Sequence, residues 1–589
     1  MIHNRANKML GLKGLLLGQL MVVVIMLLAL ATPAQAQVTF TVNRTDDPSP
    51  QGCFPGDCSL REAVIAANGT PGSDTIVLEP TTYNLTIAGN GGAVQGDLDI
   101  TENLDIKSTG PGDATIDANG IDRVLEVVSG GLSLRDITVR NGLATPDGQG
   151  LLRGGGIRVF GSLYLYDSKV VENHMPTVNG ADGGGIYNNG HTVIMRSEVS
   201  NNTAVQGFGG GIYTPTSGVT EIRDSKLSGN EAVFGGALAS ASGGGDVVVE
   251  RSQLSLNTAG LGGASYQLGT SAYTFTNTTL NGNTAVDGTG GGAVRVRGGS
   301  ATLNNSTVTR NEAPNGGGLA AANDGSSITI ANTIVAGNTD TNQADGNFPD
   351  CLDLNAVGVT THFKTQGYNI LGNAQGCQLS PATGDQFGTP AAPVNPLLDT
   401  SASFNGGLFA QVLTYELLPG SPAIDRGDPS SSCSSIDARI VQRSLGGRCD
   451  SGAYELVRCQ TTAVNRVGTF GNDSSTTPEL APTTGADGYL GFDGSDTLRG
   501  AEGNDAMCGG SGGDILTGGP GADFLVGGSD NDTLNGGLGS DRFTGNTGND
   551  TIRARDGKTD TVACGAGTDR VSADRADKVA GDCERVSRG

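Results

Sequence analysis

Aspartate recurs every nine residues near the C-terminus of this chain of 589 residues. Glycines lie before each aspartate and a large apolar residue lies two positions after it, as in Gly518-Gly519-Pro520-Gly521-Ala522-Asp523-Phe524-Leu525. Glycine permits turns with positive φ, and the apolar residue supplies the inward face of a short strand. The expected inward residues are Leu498, Met507, Leu516, Leu525, Leu534, Phe543 and Ile552. One turn and one strand in each period predict a parallel β-roll.

The same repeat places anionic oxygens at a fixed spacing. Calcium prefers carboxylate and carbonyl oxygens, and glycines let backbone carbonyls come close to an ion. The sequence therefore predicts a metal site with calcium ligation by the aspartates Asp487, Asp496, Asp505, Asp514, Asp523, Asp532, Asp541 and Asp550 and by backbone carbonyls at the turn glycines Gly510, Gly512, Gly519, Gly521, Gly528, Gly537 and Gly539. Residues 485–550 hold eleven acids and two bases, so we expect this segment to fold on binding calcium.

The segment from Gly485 to Asp550 resembles the calcium-binding nonapeptide repeats of RTX proteins. The resemblance implies that aspartates eighteen residues apart share one edge of the roll. One edge would carry Asp487, Asp505, Asp523 and Asp541, and the other Asp496, Asp514, Asp532 and Asp550. Consensus glycines are replaced at Phe492, Ala501, Asp530 and Asn546. We expect weaker calcium sites at those turns.

A second repeat, of 26 to 29 residues, fills the middle of the chain. Each copy ends in S-x-[V/L]-x-x-N or a close variant, and glycine turns followed by short apolar strands join the copies. The copies run from Ser168 to Asn173, Ser197 to Asn202, Ser225 to Asn230, Ser252 to Asn257, Thr278 to Asn283, Ser306 to Asn311 and Thr333 to Asn338. One such unit cannot bury its apolar face alone, so the array predicts a solenoid.

A coil of this length suits a right-handed parallel β-helix of the pectate-lyase type. We expect the repeated asparagines to form a hydrogen-bonded ladder at one turn rather than to bind a ligand. The expected inward ladder is Val170, Val199, Leu227, Leu254, Leu280, Val308 and Val335. Tandem β-sandwiches are the alternative fold, but the repeat is too short for one. The predicted fold class is all-β, a right-handed parallel β-helix followed by a parallel β-roll.

Both ends of the solenoid carry recognisable segments. Ser59 and Glu62 form a capping box that predicts a short helix running to Asn68, which would cover the open end of the solenoid. The hexapeptide around them, Cys58 to Ala63, resembles the CSLREA motif of large secreted bacterial β-helix proteins. Three later segments resemble the choice-of-anchor Q region of the same proteins: Leu417 to Asp425, Asp437 to Arg439 and Cys449 to Glu455.

The first 36 residues predict a Sec-type secretory signal peptide. Basic residues precede an apolar run from Leu15 to Ala31, and Pro33-Ala34-Gln35-Ala36 is a small-residue cleavage signature. No later segment is apolar enough to span a bilayer, so we expect no transmembrane segment in the mature chain. The sequence thus predicts a secreted bacterial protein, extracellular or at the cell surface. An uncleaved signal anchor is the alternative.

Ten cysteines in an exported chain predict disulfides. Their order suggests the pairs Cys53–Cys58, Cys351–Cys377, Cys433–Cys449 and Cys564–Cys583, with Cys459 and Cys508 left for each other. A zinc site is the alternative, but the chain has no C-x-x-C motif and few histidines.

The net charge of −24 argues against nucleic acid and anionic membranes as partners. Calcium is the expected cofactor, and extracellular polysaccharide or cell-surface components are the candidate macromolecular partners.

Parallel β-helices also host polysaccharide-degrading enzymes, so a catalytic site on this fold is possible in principle only where the residues for it are present. Asn338-Thr339-Asp340 matches one fragment of a polygalacturonase-like site, but the Gly-His-Gly and Arg-Ile-Lys elements of that site are absent. Arginines on successive coils are interpreted as outward strand positions with cross-coil pairing: Arg158, Arg196, Arg223 and Arg251. We predict no catalytic residue. A groove with three or more convergent acids and a base would favour an enzyme, whereas a ladder-like, uniformly polar flank would favour a binding protein.

These observations divide the chain into a signal peptide (1–36), an N-terminal cap with the first coils (37–120), a β-helix with a choice-of-anchor Q-like end (121–455), a linker (456–485) and a roll with a terminal cap (486–589). The predicted function is that of a calcium-binding adhesive or structural protein at the cell surface or in the extracellular matrix. The alternative is a polysaccharide-active enzyme, a lyase or glycoside hydrolase, with its site on the flank of the β-helix.

Overall fold

The computed structural model describes residues 37–589, apart from residues 90, 147–149, 242, 244, 289, 323–324, 343–346, 355–361, 403–411, 419, 429–435, 440–442, 444–447, 457, 460–461, 469–471 and 477–479. The predicted signal peptide and Cys433 lie outside the described residues. No helix in the described part of the chain is long and apolar enough to cross a membrane.

Three long parallel sheets build the β-helix, because successive coils place their strands in register. Sheet I has the strands Thr39–Thr41, Ser73–Leu78, Asn103–Ser108, Gly131–Arg135, Ser162–Tyr166, His191–Met195, Val219–Arg223, Asp246–Glu250, Ala272–Thr276, Ser300–Asn304, Ser327–Ala331 and Phe363–Thr365. Sheet II has Leu98–Ile100, Leu125–Val127, Ile157–Val159, Ile186–Asn188, Ile212–Thr214, Leu238–Ser240, Ser265–Leu268, Val294–Arg297, Leu319–Ala321 and Cys351–Asp353. Sheet III has Thr82–Asn84, Ala114–Asp117, Ile137–Arg140, Lys169–Val171, Glu198–Ser200, Lys226–Ser228, Gln253–Ser255, Thr279–Asn281, Thr307–Thr309, Ile334–Val335, Ile370–Leu371 and Gln386–Phe387.

A shorter parallel sheet, sheet IV, follows sheet III in the middle coils. Its strands are Thr203–Phe208, Glu231–Phe234, Thr258–Leu261, Thr284–Ala285, Glu312–Ala313 and Thr339–Asp340. Two 3-10 turns, Gly92–Val94 and Gln375–Cys377, lie near the two ends of the β-helix. The predicted right-handed parallel β-helix is therefore confirmed.

The predicted ladders of the 26-to-29-residue repeat are confirmed. All seven expected apolar side chains, from Val170 to Val335, are fully buried in one continuous core. The asparagines stack beside them: Asn230 Oδ1 accepts the backbone N–H of Asn202 at 3.1 Å and its side-chain amide at 3.0 Å. Asn257 Oδ1 accepts the backbone N–H and the side-chain amide of Asn230 in the same way. Each amide satisfies backbone groups at a turn where no strand can pair them.

The predicted helix covers the N-terminal end of the β-helix. It spans Leu60–Asn68, and Ser59 and Glu62 form both bonds of the capping box. Its Arg61 is fully buried and pairs with Asp47 at 2.7 Å. Leu60, Ala63 and Val64 join the core of the first coils, which would otherwise be open to water.

The segment that resembles the choice-of-anchor Q region packs along sheet III. Gly452 donates its N–H to the Asn332 carbonyl at 2.7 Å, and Ala453 donates to Thr307 Oγ1 at 3.0 Å. Arg443 reaches Asn277 Oδ1 at 3.0 Å. This segment therefore covers the outward face of the late sheet III strands, which explains why polar positions such as Thr307 are buried there.

Two parallel sheets form the β-roll. Sheet V has Arg466–Val467, Gly488–Asp493, Ala506–Ser511, Phe524–Ser529, Arg542–Thr547, Thr561–Ala566 and Lys578–Val579. Sheet VI has Thr497–Arg499, Ile515–Pro520, Thr533–Leu538, Thr551–Arg553, Arg570–Ala573 and Arg585–Arg588. The predicted apolar residues, from Leu498 to Ile552, are buried between the sheets at 0–1% exposure.

The segment expected to be a linker, residues 456–485, contains strands that belong to the roll. An antiparallel pair, Arg458–Cys459 with Thr462–Ala463, precedes the first strand of sheet V. Leu480 enters the core of the roll, and Cys459 is bonded to Cys508. The Ser, Thr and Pro composition suggested a linker, but these buried contacts tie the segment to the roll.

Four of the predicted disulfides are present: Cys53–Cys58, Cys351–Cys377, Cys459–Cys508 and Cys564–Cys583. The pairing of Cys449 with Cys433 concerns a residue outside the described chain. The bonds lie at the N-terminal cap, at the last coils of the β-helix and at both ends of the roll. They therefore close the positions where a solenoid has no neighbouring coil.

Candidate metal centre

The predicted calcium-binding aspartates stack into two ladders along the roll. In the first ladder, Asp505 Oδ1 accepts the backbone N–H of Asp487 at 2.8 Å, and Asp523 and Asp541 continue this pattern. In the second ladder, Asp514 Oδ1 accepts from Asp496 at 2.9 Å, followed by Asp532 and Asp550. The spacing of eighteen residues places the two sets on opposite edges, as the family resemblance implied.

Each aspartate from Asp505 to Asp550 uses Oδ1 for this bond. Within the described chain, Oδ2 has no hydrogen-bond partner in Asp496, Asp505, Asp514, Asp523, Asp532 and Asp550. These residues are only 1–2% exposed. Burial raises the pKa of Asp496, Asp523 and Asp532 to about 7 and that of Asp514 to about 6. A row of buried carboxylate oxygens without donors is unfavourable unless a cation neutralises it.

Asp487 differs from these six aspartates. Its Oδ2 accepts the N–H of Thr483 at 2.7 Å and the hydroxyl of the same residue at 2.9 Å. Arg466 lies 3.4 Å from its Oδ1. Asp487 therefore has protein partners for both oxygens and begins the ladder as a structural cap.

The predicted turn glycines allow the coils to stack. All seven have positive φ, from 102° at Gly537 to 158° at Gly521. A Cβ at Gly510 would overlap the carbonyl of Phe492, eighteen residues earlier. The turns of neighbouring coils thus bring backbone carbonyls close together at each edge, where the aspartates also lie.

Another set of glycines was not among the predicted site residues. In each repeat a glycine five positions before the aspartate touches its free oxygen, so that a Cβ there would overlap Oδ2. This set is Gly491, Gly500, Gly509, Gly518, Gly527, Gly536 and Gly545. The first glycine of the Gly-Gly pair in the repeat could have indicated these positions, because the turn geometry alone does not require a glycine there.

The four consensus departures occupy left-handed backbone. Phe492, Ala501, Asp530 and Asn546 have φ between 73° and 80°, where glycine is the favoured residue. A side chain in this region costs about 1 kcal/mol. The expectation of weaker calcium sites at these turns stays a prediction with this strain as its physical basis.

Both ladders continue beyond the predicted residues. Asp541 donates its backbone N–H to Asp560 Oδ1, and Asp550 donates to Asp569 Oδ1, both at 2.8 Å. Asp569 donates in turn to Glu584 Oε2 at 2.9 Å. One inserted residue changes the spacing from eighteen to nineteen, so Asp560 and Asp569 do not follow the nine-residue period of the other aspartates.

These observations fit calcium. Hard anionic oxygens from consecutive coils converge with backbone carbonyls. Among the described residues, no ion pair supplies a cation to the carboxylates from Asp496 to Asp550. The residues that would hold the ions are the predicted aspartates, with Asp560 and Asp569 added, together with the carbonyls of the glycine turns. Bound calcium would supply positive charge between coils that otherwise repel each other.

The β-helix carries an acidic cluster that the sequence did not reveal. Carboxylate oxygens of Asp97, Asp99 and Glu126 lie within 4.8 Å of one another on sheet II. Arg123 Nε is 2.9 Å from Asp97 Oδ2, and Arg158 Nη1 is 3.5 Å from Glu126 Oε2. Burial raises the pKa of Asp97 to about 7 and that of Asp99 to about 6. The cluster thus contains three acids and two bases.

A pattern in the strands could have found this cluster. Asp99, Glu126 and Arg158 are the central residues of the consecutive strands Leu98–Ile100, Leu125–Val127 and Ile157–Val159, each flanked by apolar residues. They lie in register on the outward face of the sheet. A charged residue between two buried apolar ones therefore marks one outward row across several coils.

The other candidate residues on the flank have structural partners. Arg196 binds Asp167 at 2.7 Å, and Arg251 binds Asp224 at the same distance. Arg223 binds Glu250 at 3.0 Å. Cross-coil pairing of these arginines is thereby confirmed, but Arg196 and Arg251 lie in left-handed turns directly after their strands, so the predicted strand position is wrong for these two.

The Asn338-Thr339-Asp340 triplet is part of the β-helix turns. Asn338 Oδ1 accepts the N–H of Asn311 at 3.0 Å, which makes it the last asparagine of the ladder. Asp340 accepts backbone N–H groups of Asn342 and Phe348, each at 2.9 Å. Its carboxylate therefore holds a loop.

Two family models match this chain. One, described as RTX calcium-binding nonapeptide repeat (4 copies), matches residues 490–516, 509–543, 517–552 and 535–571. The other, described as right handed beta helix region, matches residues 129–339. The chain therefore carries a right-handed β-helix region followed by RTX repeats, which bind calcium ions. The CSLREA-like and choice-of-anchor Q-like segments lie outside the matched ranges, and those resemblances stay predictions.

Solved structures of two lyases are similar to this chain. Pectate lyase Pel9A is 15% identical with a TM-score of 0.42, and the similarity covers 72% of this chain and 97% of that chain. The PL6 family alginate lyase AlyGC is 10% identical with a TM-score of 0.31, covering 94% of this chain and 78% of that chain. No curated protein matches the chain.

Proposed function

We propose that this protein is an exported calcium-binding β-solenoid that acts without catalysis, as an adhesive or structural protein at the bacterial cell surface or in the extracellular matrix. The observation that carries the proposal is the double ladder of buried aspartates, in which one carboxylate oxygen has no hydrogen-bond partner in Asp496, Asp505, Asp514, Asp523, Asp532 and Asp550. Calcium is plentiful outside cells and scarce inside them, so such a roll would fold only after export.

The roll would act as a calcium-dependent unit at the end of a rigid rod. Its coils repeat the same backbone and carboxylate contacts every eighteen residues, from Asp496 to Asp550. Without cations the like charges on each edge repel, because they lie about 5 Å apart along the sheet. Calcium binding would therefore couple folding of the roll to the extracellular compartment.

The β-helix would serve as the rod. Its buried asparagine ladder and continuous apolar core hold the coils in one arrangement. Arginines along its flank are paired with acids of neighbouring coils, as in Arg196 with Asp167 and Arg251 with Asp224. Such paired charges solvate a surface and leave few groups to act on a substrate.

Disulfides support the proposed location. Bonds such as Cys564–Cys583 form and persist in oxidising compartments. This bond ties the terminal segment of the roll to the strand Thr561–Ala566. Together with the predicted signal peptide, the disulfides favour a secreted or surface-exposed protein.

The domain limits are also proposals. We retain an N-terminal cap with first coils at 37–120 and a β-helix with its packed end at 121–455. The roll would begin near Arg458 instead of at residue 486, because the Cys459–Cys508 bond and the strand Arg466–Val467 attach this segment to it.

The acidic cluster on sheet II favours a second candidate function, a polysaccharide-active enzyme. Three carboxylates and two arginines within one small region are groups that acid–base chemistry can use. The side chains of Asp97 and Arg123 are only 9% and 5% exposed, however, and they pair with each other. A substrate would have to displace that pair, so we favour the non-catalytic role.

Two assays on the full mature chain test the proposal. Cells that export the protein are washed with calcium or with a chelator, and the released protein is measured. Purified protein is then incubated with neutral and uronic-acid polysaccharides in calcium, and new chain ends are measured for the wild type and for Glu126→Gln. We expect release by chelator and no new chain ends. Chain ends that appear with the wild type and vanish with Glu126→Gln would establish the enzyme instead.

A further inference from the structure

The C-terminal end of sheet VI carries a concave polar surface that the calcium ladders do not explain. A cavity of about 440 Å³ is lined by Asn531, Asn549, Asp550, Thr551, Thr568, Arg570 and Arg585. It lies on the outer face of the roll, beside the second aspartate ladder. Its volume falls in the range of small-ligand sites.

Two arginines lie side by side in this cavity. Arg570 and Arg585 are direct register partners on neighbouring parallel strands, which places their backbones about 5 Å apart. Both are exposed, and neither takes part in any ion pair found among the described residues. Like charges directly opposite each other destabilise a sheet. An anion between them would remove that repulsion.

Apart from Asp550, the remaining lining groups are amides and hydroxyls. Asn531 Oδ1 accepts the backbone N–H of Asn549 at 2.6 Å, and Asn549 Oδ1 accepts that of Thr568 at 2.9 Å. The amide oxygens are therefore used between coils, and the exposed amide nitrogens are available to a ligand. Amide and hydroxyl groups suit sugar hydroxyls, and the planar guanidinium suits a carboxylate.

Calcium would strengthen this surface. Asp550 Oδ1 accepts the N–H of Asp532 at 2.9 Å, and its Oδ2 is one of the free ladder oxygens. When calcium neutralises that carboxylate, the negative charge beside the two arginines falls, in a chain whose net charge is −24. The cavity also exists only when the coils from Asn531 to Arg585 are stacked.

We propose that this cavity binds a carboxylate-bearing sugar of an extracellular polysaccharide, in a calcium-dependent manner, with Arg570 and Arg585 holding the carboxylate. The inference rests on the proposed adhesive function and names the ligand class for it. A membrane surface is less suited, because the site is concave and presents two cations among amides and hydroxyls. Anionic membranes are bound through flat clusters of four or more basic residues.

The test uses the full mature chain in millimolar calcium and a fluorescent tetrasaccharide of galacturonic acid. The methyl-esterified tetrasaccharide serves as the uncharged control ligand. The variant Arg570→Gln with Arg585→Gln is compared with Arg499→Gln with Lys578→Gln, which removes the same charge elsewhere on the roll. Vesicles containing phosphatidylserine are the third probe.

We expect the charged sugar to bind only in calcium, the Arg570/Arg585 variant to bind it at least roughly tenfold more weakly, and the control variant to match the wild type. Equal binding of the methyl ester, or equal loss in both variants, would overturn the proposal. Arginine-dependent binding to vesicles without sugar binding would overturn it as well. Circular dichroism of the same samples separates the two ideas: a roll that folds with calcium but binds no sugar refutes only the cavity, whereas a roll indifferent to calcium refutes the proposed function.

Discussion

Asp532 accepts the backbone N–H of Asp514 through Oδ1 at 2.8 Å, while its own Oδ2 is buried without a donor. The same carboxylate therefore does two things. One oxygen holds the next coil in register, and the other oxygen is left for a cation. This division explains why the roll needs aspartate at each ninth position, since a shorter or neutral side chain can perform only the first task.

Replacing Asp514 and Asp532 together by asparagine separates the two tasks. The amide keeps the oxygen that accepts the N–H, but removes two charges next to the ion. We expect calcium affinity to fall by roughly tenfold or more, about 1.4 kcal/mol, measured by calorimetry on the full chain. The control is Glu502→Gln, which removes a charge from an exposed position on the roll. A similar loss in the control would show that only the net charge matters.

The roll should respond to pH in the opposite sense to an acid-labile protein. Burial raises the pKa of Asp523 and Asp532 from 3.8 to about 7 in the folded, calcium-free roll. The folded state then binds more protons than the unfolded state, so its stability is greatest below pH 3.8 and is lost as the pH rises through about 7.

Calcium competes with those protons. We therefore expect the calcium-free roll to be more ordered at a pH of about 5 than at about 8, and the calcium affinity to fall as the pH drops below about 7. Circular dichroism with and without a chelator measures the first effect, and calorimetry measures the second. Greater order of the calcium-free roll at the higher pH would contradict this account.

Gly518 makes room for a calcium ligand. A Cβ at this position would overlap Asp523 Oδ2 and lie 2.5 Å from the carbonyl oxygen of Gly536. Gly518→Ala should cost about 1–3 kcal/mol in the unfolding free energy of the calcium-bound roll and also weaken calcium binding. Gly513→Ala is the matched control, because its nearest neighbour, the Asn531 oxygen, would be 3.2 Å away. Equal effects of the two substitutions would mean that glycine acts here through backbone freedom alone.

The asparagine ladder can be tested in the β-helix. Asn230→Ala removes the acceptor of two buried Asn202 donors and leaves the Val199 carbonyl without its side-chain donor. We expect a loss of about 2–4 kcal/mol in the unfolding free energy of the β-helix, measured by denaturant titration. Asn315→Ala, which removes one bond to Gly288, should cost far less. Roughly equal losses would show that the ladder adds nothing beyond single hydrogen bonds.

The Cys459–Cys508 bond joins the first strands of the roll to its core across 49 residues. Replacing both cysteines by serine should lower the unfolding free energy of the calcium-bound roll by about 3–4 kcal/mol and leave the number of bound ions unchanged. The pair Cys53 and Cys58, which closes a short loop in the N-terminal cap, is the control and should not affect the roll. A change in the number of bound calcium ions would mean that the segment beginning at residue 458 belongs to the calcium-binding coils.

Much of the fold could be predicted because each coil repeats the same contacts. The apolar residue two places after each ladder aspartate, such as Leu516 or Leu525, has only the inside of the roll to occupy. The asparagine ladder could be predicted as well, because a repeated amide at a fixed spacing in a solenoid has few other roles.

The site residues that could not be predicted lie at spacings that vary from coil to coil. One inserted residue hid Asp560 and Asp569, although they continue the ladders. Asp99, Glu126 and Arg158 meet only because coils of different lengths place them in register. Arg570 and Arg585 face each other for the same reason, since their separation of fifteen residues fits neither repeat.

The most direct measurement is hydrogen exchange of the full mature chain with and without calcium, followed by mass spectrometry. We expect the backbone from residue 486 to residue 571 to be protected only in calcium, while the β-helix core around Val199 and Leu254 stays protected in both conditions. Asp514→Asn with Asp532→Asn should shift that protection to higher calcium concentration. Equal protection of the roll in calcium and in chelator would contradict the claim that its aspartate ladders need the ion to fold.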